Sequence, residues 1–331
     1  MNRFSKIVFS AVFATVLAAP AVMADPAIVY SVGGKFDGSF NESAYSGVKR
    51  FEEATDKTVR EFTLERDAQS LQALRNFASR GNTPVVAIGF NQANALGQAA
   101  PEFPETDFAI IDMVVDKPNV RSYVFKEQEG AYIAGLLAAM ASKSGTIGFV
   151  GGMDIPIIQR FLCGYKLGAL SVNPDIEILS NMTGDTPAAF ADPVRGGEIA
   201  TSQIKRGADV IIQAAGGTGL GVLQAAADAG ILGIGTDSNQ NGLHPGKVLT
   251  SIRKRVDNAV YDSFQSAQNG SFEPGIQVLG LADGGMDWVL DANNKMLVTE
   301  DMKTAADAAV SRISDGTIKV HDVITEGACP V

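Results

Sequence analysis

Residues 27–41 read AIVYSVGGKFDGSFN, and their pattern indicates the fold class. Its first six residues are mostly apolar and predict a buried strand, and the glycine-rich segment after them predicts a tight turn. From Glu42 onward the apolar residues recur with helical spacing. A buried strand, a polar loop and a helix in that order are typical of a parallel α/β sheet that is covered on both faces.

The same alternation of strand and helix runs along the chain in two successive sets. In the first set the strands are Ala27–Val32, Val59–Leu64, Val85–Gly89 and Phe108–Ile111, and the helices are Glu42–Ala54, Ala68–Phe77, Asn91–Ala100 and Glu127–Ala141. In the second set the strands are Thr146–Val150, Ile176–Asn181, Val210–Gln213, Ile231–Gly235 and Val248–Ile252, and the helices are Pro156–Leu170, Asp192–Lys205, Thr218–Ala229 and Lys254–Gln268. Ile276–Leu279 and Trp288–Leu290 follow as a tail. Two sets predict two α/β lobes.

The first 24 residues are typical of a cleaved secretory signal. Arg3 and Lys6 precede an apolar run from Ile7 to Ala19, and small residues follow up to Ala24. The run is shorter than the ~20 residues that a transmembrane helix needs. Because these are the only charged residues of the segment, its removal takes the net charge from −10 to −12. Such an acidic chain is a poor partner for nucleic acid or an anionic membrane surface.

The chain has two cysteines, Cys163 and Cys329. In an oxidising exterior two thiols often pair. The sequence alone leaves a disulfide and two free thiols equally open, because it cannot show whether the sulfurs come within bonding distance.

Polar and aromatic side chains follow the predicted strands, where an open α/β sheet holds its ligand. After the first-set strands come Asp37, Ser39, Phe40 and Asn41, then Phe90 and Asn91, then Asp112; after the second-set strands come Gly216 and Gly217, then Asp237. Capping of the first helix explains one of Ser39 and Asn41, and turn chemistry explains any one residue alone. Their recurrence at the strand ends of both lobes favours a ligand site in which phenylalanines stack on a flat ring and carboxylates bind hydroxyl or N–H groups.

The candidate motifs for cofactor and metal binding lack the residue spacing that those functions require. Residues 216–221 read GGTGLG after a strand, but no frame gives the dinucleotide-binding pattern G-x-G-x-x-G. The stretch that begins at Asp237 resembles a calcium loop, but Val248 stands where a bidentate glutamate is required. We therefore expect no catalytic residues, no metal and no cofactor, and a chain that binds without turnover.

Several stretches resemble the basic membrane protein (BMP, PnrA-like) family of ABC-transporter substrate-binding proteins. In chain order they include Gly34–Asn41, Phe108–Asp112, Glu129–Gly135, Ile147–Gly152, Ala215–Gly219 and Ile234–Asp237. The resemblance implies the type I periplasmic binding protein fold of the α/β class, two doubly wound parallel-sheet lobes joined by a multi-strand hinge. Residues 25–143 with 253–279 would form lobe 1, and residues 144–252 with 280–331 lobe 2, after a signal peptide of residues 1–24.

The resemblance also implies a function and a set of contacts. The protein would close on a purine nucleoside and pass it to an ABC permease in the inner membrane. Many members of the family are lipoproteins, but no cysteine follows the signal segment here, so we expect a protein that is free in the periplasm and not a lipoprotein. We also expect a monomer. Phe40 would stack on the base, with Phe190 or alternatively Phe161 as the second ring. Asp37 and Asn41 would bond polar edges nearby, Asp112 the base or ribose, and Asp237 and Lys254 the ribose hydroxyls, while Gly216 and Gly217 would let the backbone approach.

Other functions stay open at this point. The same scaffold could bind a sugar, a flavin or another small metabolite, or present its ligand to a receptor kinase. A secreted nucleoside hydrolase is a further alternative, although such an enzyme gathers several aspartates for a metal and no such cluster occurs near the N-terminus.

Overall fold

The structure is a computed structural model that describes residues 25–331, so the predicted signal segment 1–24 lies outside the described residues. The strands are β1 (Ala27–Tyr30), β2 (Arg60–Thr63), β3 (Val85–Ile88), β4 (Phe108–Ile111), β5 (Val120–Phe125), β6 (Thr146–Met153), β7 (Glu177–Gly184), β8 (Val210–Ala214), β9 (Leu232–Asp237), β10 (Val248–Lys254), β11 (Gly275–Leu279) and β12 (Met286–Trp288). The helices are α1 (Phe40–Thr55), α2 (Ser70–Ser79), α3 (Ala93–Ala99), α4 (Glu127–Ala141), α5 (Pro156–Leu170), α6 (Pro193–Lys205), α7 (Gly219–Asp228), α8 (Val256–Gln268) and α9 (Glu300–Ser314).

Within residues 25–331 the strands form two six-stranded sheets with the same internal order. The first is β11-β5-β4-β3-β1-β2 and the second is β12-β10-β9-β8-β6-β7. The pairings are parallel except between β10 and β12, which are antiparallel. Each sheet contains the 2-1-3-4-5 doubly wound order, in which ligands bind where the strand order reverses. These reversal points lie between β1 and β3 in one sheet and between β6 and β8 in the other.

The chain passes between the sheets three times, after β5, after β10 and after β11. The three connections are hydrogen-bonded side by side. The Lys126 amide donates to the Leu279 carbonyl at 2.9 Å, and the Arg255 amide donates to the Gly285 carbonyl at 2.8 Å. Their proximity makes them act as one hinge, because a rotation of one lobe must bend all three together.

Helix α4 packs on the second sheet, where it contacts α5, β10, β12 and α9. The first change of sheet therefore comes after Phe125, whereas the predicted division kept residues up to 143 in lobe 1. Because α4 is rich in alanine and leucine, its sequence is compatible with either sheet, and only the packing shows which one it covers.

Two elements of the structure have no counterpart among the predicted ones. The strand β5 reads VRSYVF, and its polar Arg121 and Ser122 hide the strand pattern. Both are buried, and the Arg121 guanidinium donates to Asp262 at 2.9 Å and to the Glu273 carbonyl at 2.7 Å. The helix α9 has the N-cap Thr299. It was overlooked although its buried residues are helically spaced.

The two cysteines form a disulfide, with Cα atoms 5.6 Å apart. It connects the middle of α5 to the last residues of the chain, and so settles the question that the sequence left open. The bidentate ion pair of Arg160 with Asp322 joins the same helix and the same terminal segment at 2.6 Å. The C-terminal segment is thus fastened to α5 at two points.

Candidate ligand-binding site

A cavity lies between the two sheets, at the carboxyl ends of their strands. It encloses about 690 Å³ of empty space, part of which is open to solvent. All predicted site residues except Ser39 and Gly217 line it: Asp37, Phe40, Asn41, Phe90, Asn91, Asp112, Phe161, Phe190, Gly216, Asp237 and Lys254. Residues from both sheets thus converge on one space, because the loops after β1, β3, β6 and β8 all leave the sheets at their reversal points.

Aromatic side chains form part of the cavity wall. The Phe90 ring, after β3, meets the Phe190 ring of the other lobe edge-on, with centroids 6.3 Å apart. Phe40 and Phe190 are partly exposed, whereas Phe161 is only 2% exposed and belongs to the hydrophobic core. Of the two candidates for a second stacking ring, Phe190 therefore has the accessible face, and Phe161 forms part of the cavity wall.

The Phe190 side chain packs closely against glycines. A Cβ at Gly152 would come within 2.2 Å of the ring, and a Cβ at Gly216 within 3.4 Å of the Phe190 Cβ atom. A Cβ at Gly217 would come within 3.5 Å of the Asp37 Cβ atom. The resemblance implied that Gly216 and Gly217 let the backbone approach a ligand. In the structure Gly216 has a φ of 56° and a Cβ there would lie 3.2 Å from the Phe190 carbonyl oxygen, whereas a Cβ at Gly217 would make only ordinary van der Waals contacts.

Several polar side chains of the cavity wall already form hydrogen bonds within the protein. Both oxygens of Asp37 accept from backbone amides, those of Ser39 at 2.8 Å, Asn41 at 3.0 Å and Glu42 at 3.1 Å. Asp37 is therefore the side chain that caps α1, a role that the sequence suggested for Ser39 or Asn41. Burial raises the pKa of Asp37, although these amide hydrogen bonds oppose the shift.

The two asparagines also bind their own chain. The Asn41 amide accepts from the Ser31 amide at 3.1 Å and donates to the Gly34 carbonyl at 3.1 Å, which shapes the loop after β1. The Asn91 amide accepts from the Ser31 hydroxyl at 3.1 Å and donates to Asp67 at 2.6 Å. Both residues line the cavity while their polar atoms support its wall.

Charged side chains form another part of the wall, and the Phe40 ring lies beside them, with its centroid 5.4 Å from Lys254 Nζ. The Lys254 side chain is 2% exposed, and its Nζ lies 2.6 Å from Asp112 Oδ1 and 2.9 Å from Glu127 Oε1. Asp237, at the end of β9, is also buried and accepts from the Ser39 hydroxyl at 2.7 Å. Carboxylates from the two sheets thus face one lysine across the cavity.

Burial governs the protonation of these groups. It raises the pKa of Asp112 to about 6 against the opposing effect of Lys254, and the nearby Glu127 adds to the shift. Burial likewise raises the pKa of Asp237 to about 6, while Lys254 and the Ser39 hydrogen bond oppose it. For Lys254, burial favours the neutral amine, but Asp112, Glu127 and Asp237 outweigh it and raise the pKa. At neutral pH the cavity therefore carries more negative than positive charge.

Two features of the site have no counterpart among the predicted residues: Glu127, which pairs with Lys254 without lining the cavity, and the apolar part of the wall. Glu127 is 1% exposed and also lies 3.4 Å from Arg160. It begins α4 directly after β5, so recognition of that strand would have marked it as a strand-end residue. Ile155, Ile157 and Pro187 line the cavity beside Phe190. They stand in apolar or loop segments with no sequence signal that separates them from core residues.

Comparison with known proteins finds a family model and curated relatives that match most of the chain. The model of the Bmp family, described as ABC transporter substrate-binding protein PnrA-like, matches residues 26–322. The "ABC transporter nucleoside-binding protein BmpA" of Lactococcus lactis subsp. cremoris is 34% identical over an alignment of 317 positions that covers 89% of this chain and 88% of that protein. The "Uncharacterized lipoprotein PH1714" of Pyrococcus horikoshii is 33% identical, over 80% of this chain and 69% of that protein.

A solved structure confirms the fold class. The crystal structure titled "ABC transporter system solute-binding proteins from Aeropyrum pernix K1" superposes with a TM-score of 0.82 at 28% identity, over 90% of this chain and 93% of that one. Together with the two doubly wound sheets and the three connections, it confirms the type I periplasmic binding fold.

The expected location needs correction. The sequence suggested a secreted protein that is free in the periplasm and not a lipoprotein. Relatives that match most of the chain are named as a lipoprotein or as basic membrane proteins, which points to membrane attachment of those proteins. A location free in the periplasm therefore does not follow for this chain. Between residues 25 and 331, no helix has both the length and the apolar character that crossing a bilayer requires.

Proposed function

The chain belongs to the Bmp family of PnrA-like ABC transporter substrate-binding proteins, and we propose that it binds a purine nucleoside between its lobes and delivers it to an ABC importer. The observation that carries the proposal is that aromatic rings and buried carboxylates from both lobes line one cavity. A nucleoside combines the matching groups, because its base is flat with apolar faces and its ribose carries hydroxyl donors.

The aromatic rings of the cavity wall suit the base. Phe40 and Phe190 offer partly exposed rings from opposite lobes, and Phe90 closes the side. A purine covers more ring area than a pyrimidine, so stacking between two rings favours it. Since Asp37, Asn41 and Asn91 mostly bind their own chain, base recognition rests on stacking more than on hydrogen bonds to the base edge.

The carboxylates and the lysine of the cavity wall suit the hydroxyl groups of a sugar that carries no charge. Asp112 and Asp237 lie on opposite lobes and can accept hydrogen bonds from neighbouring ribose hydroxyls, while Lys254 can donate one. A 5′-phosphate would bring additional negative charge near Asp112 and Asp237, which share Lys254 with Glu127, while the nearby Arg160 already pairs with Asp322. The site therefore favours nucleosides over nucleotides.

A name among the relatives supports this proposal. BmpA of Lactococcus lactis is named a nucleoside-binding protein. Binding without turnover agrees with the family, whose description is that of substrate-binding proteins of transporters. A plain sugar would satisfy the carboxylates but leave the rings Phe40 and Phe190 without a partner.

Isothermal titration with inosine, guanosine and adenosine tests the proposal, after native mass spectrometry of the purified protein has identified any ligand carried through purification. We expect a dissociation constant of about 1 μM or tighter, equivalent to roughly 8 kcal/mol. The matching 5′-monophosphates are expected to bind at least about tenfold more weakly, because each 1.4 kcal/mol of repulsion is a factor of ten. Tight binding of ribose would contradict the proposal, and so would the absence of binding by all three nucleosides.

A further inference from the structure

A buried amide connects the two lobes outside the cavity. Gln240 follows β9, is 1% exposed, and does not appear in the cavity wall formed by residues of the described chain. Its Nε2 donates to the carbonyl of Gly38, in the loop after β1, at 2.9 Å. This hydrogen bond joins residues of different sheets, so it exists only while that loop lies against the second lobe.

The orientation of the Gln240 amide is fixed from within the second lobe. Its Oε1 accepts from the Thr236 amide at 2.9 Å and from Gln213 Nε2 at 2.8 Å. The Gln213 side chain is fixed in turn, because its Oε1 accepts from the Ala215 amide at 2.9 Å. With two donors on its oxygen, Gln240 must direct its NH₂ group at the first lobe.

Other groups hold the same loop. The Ser238 hydroxyl donates to the Ser39 carbonyl at 2.7 Å, and the Ser39 hydroxyl donates to Asp237 at 2.7 Å. Gly38 has a φ of 67° and lies so close to the second lobe that a Cβ atom there would be 3.0 Å from a Leu220 methyl carbon. The loop is therefore seated tightly on the second lobe at Gly38 and Ser39.

The seated loop carries two residues of the cavity wall. Asp37 precedes Gly38, and Phe40 follows Ser39. A hydrogen bond at Gly38 thus holds both of them opposite Asp237 and Phe190 of the second lobe. If the loop separates from the second lobe, the two walls of the cavity separate with it.

We propose that Gln240, with Ser238 beside it, is an interlobe latch that favours the closed form and slows ligand release without touching the ligand. Gln240 is a positioning residue in this role. The inference rests on the proposed function only in that the cavity holds the ligand. The latch acts on the closed–open equilibrium, so its loss raises the population of the open form in the free protein as well.

The variant Gln240→Glu separates the latch from the architecture of the lobe. At pH 8 its carboxylate still accepts from Thr236 and Gln213, but it places a second acceptor against the Gly38 carbonyl. Ser238→Ala removes the neighbouring interlobe hydrogen bond with less disturbance of the interior. The matched control is Gln203→Glu, because Gln203 is a buried amide whose NH₂ donates to Phe149 and Asn181 within the second lobe.

Stopped-flow release of inosine and small-angle X-ray scattering of the free protein are the measurements. For Gln240→Glu we expect release about three- to tenfold faster, the effect of one hydrogen bond, with a smaller increase for Ser238→Ala. Both variants should also show a larger radius of gyration without ligand. The control Gln203→Glu should leave the release rate and the radius unchanged, even if its melting temperature falls.

Release rates and radii equal to those of the unmodified protein in both latch variants would overturn the inference. A lower melting temperature alone, with unchanged release and radius, would assign Gln240 a purely structural role and overturn it as well. If the unmodified protein binds no nucleoside, the proposed function fails. The radius of gyration of the free variants then still decides whether the latch exists.

Discussion

Asp112 and Asp237 both adopt left-handed backbone conformations, with φ of 75° and 70°. Such a conformation costs a non-glycine residue about 1 kcal/mol or more and concentrates at functional sites. Each of the two directly ends a strand or follows one, and each directs a buried carboxylate into the same cavity. Strain and burial at two positions on opposite lobes are the residue-scale evidence that the site is built for a ligand.

The raised pKa values predict how stability depends on pH. An acid whose pKa is higher in the folded than in the unfolded state stabilises the fold while it is protonated. This contribution is lost as the pH rises from about 4 to above 6, the window set by the ordinary value of 3.8 and the folded value of about 6. At neutral pH the free protein therefore contains an unfavourable buried charge at Asp237.

Asp237→Asn should remove that cost. We expect the variant to exceed the unmodified protein in free energy of unfolding by about 1–3 kcal/mol at pH 8, and by about half as much at pH 5, because there Asp237 is largely protonated in the folded state but still ionised in the unfolded state. The same variant should bind nucleoside more weakly. Urea denaturation at both pH values checks the prediction, with the exposed Asp185→Asn as the control. A stability difference that is equal at pH 5 and pH 8 would contradict it.

At the scale of elements, α4 and α5 cross with their backbones in contact. A Cβ at Gly135 would lie 1.9 Å from the Tyr165 carbonyl oxygen, and a Cβ at Gly168 would lie 2.0 Å from that of Tyr132. Only glycine allows this approach. Because the first turns of α5 carry Ile157, Ile158 and Phe161 into the cavity wall, the contact also sets the position of that wall.

Gly135→Ala should therefore force the two helices apart. We expect a loss of about 1–3 kcal/mol in the free energy of unfolding from overpacking, together with weaker nucleoside binding. Gly97→Ala is the matched control, since Gly97 lies in α3 with open space around its missing Cβ. There the better helix propensity of alanine should stabilise the fold by roughly 0.5–1 kcal/mol. Equal effects of the two substitutions in urea denaturation would show that the close crossing has no energetic role.

The elements also show how far the sequence predicts the molecule. Strands made of continuous apolar residues, such as β1, β3 and β4, were predicted almost to the residue, because burial on both faces leaves a clear pattern. The strand β5 was missed because Arg121 finds its partners in distant segments, which no local pattern reveals.

The candidate site follows the same logic. Asp112 and Asp237, which come after predicted strands, line the cavity as predicted, whereas Glu127, the partner of Lys254, was not predicted because the strand before it was not. Which polar atoms are free for a ligand depends on hydrogen bonds across the loops. The sequence therefore could not show that Asp37 and Asn41 bind their own backbone.

At the scale of the whole molecule, the charged side chains of the cavity wall belong to an ion network that reaches the hinge. Lys254 ends β10 at one connection, Glu127 begins α4 at another, and Glu127 lies 3.4 Å from Arg160, which pairs with Asp322 of the C-terminal segment. The ligand site, the hinge and the terminal segment thus share one buried ion network. A ligand that binds Asp112 and Asp237 on opposite lobes stabilises the closed arrangement of the hinge, which is the state an importer would distinguish.

A crystal structure of the protein with a bound purine nucleoside tests the central claim most directly. We predict the base between Phe40 and Phe190, and the ribose hydroxyls within hydrogen-bond distance of Asp112, Asp237 and Lys254, with no water-filled gap between the lobes. A nucleoside bound elsewhere on the surface, or one that contacts a single lobe while the cavity stays open, would contradict it.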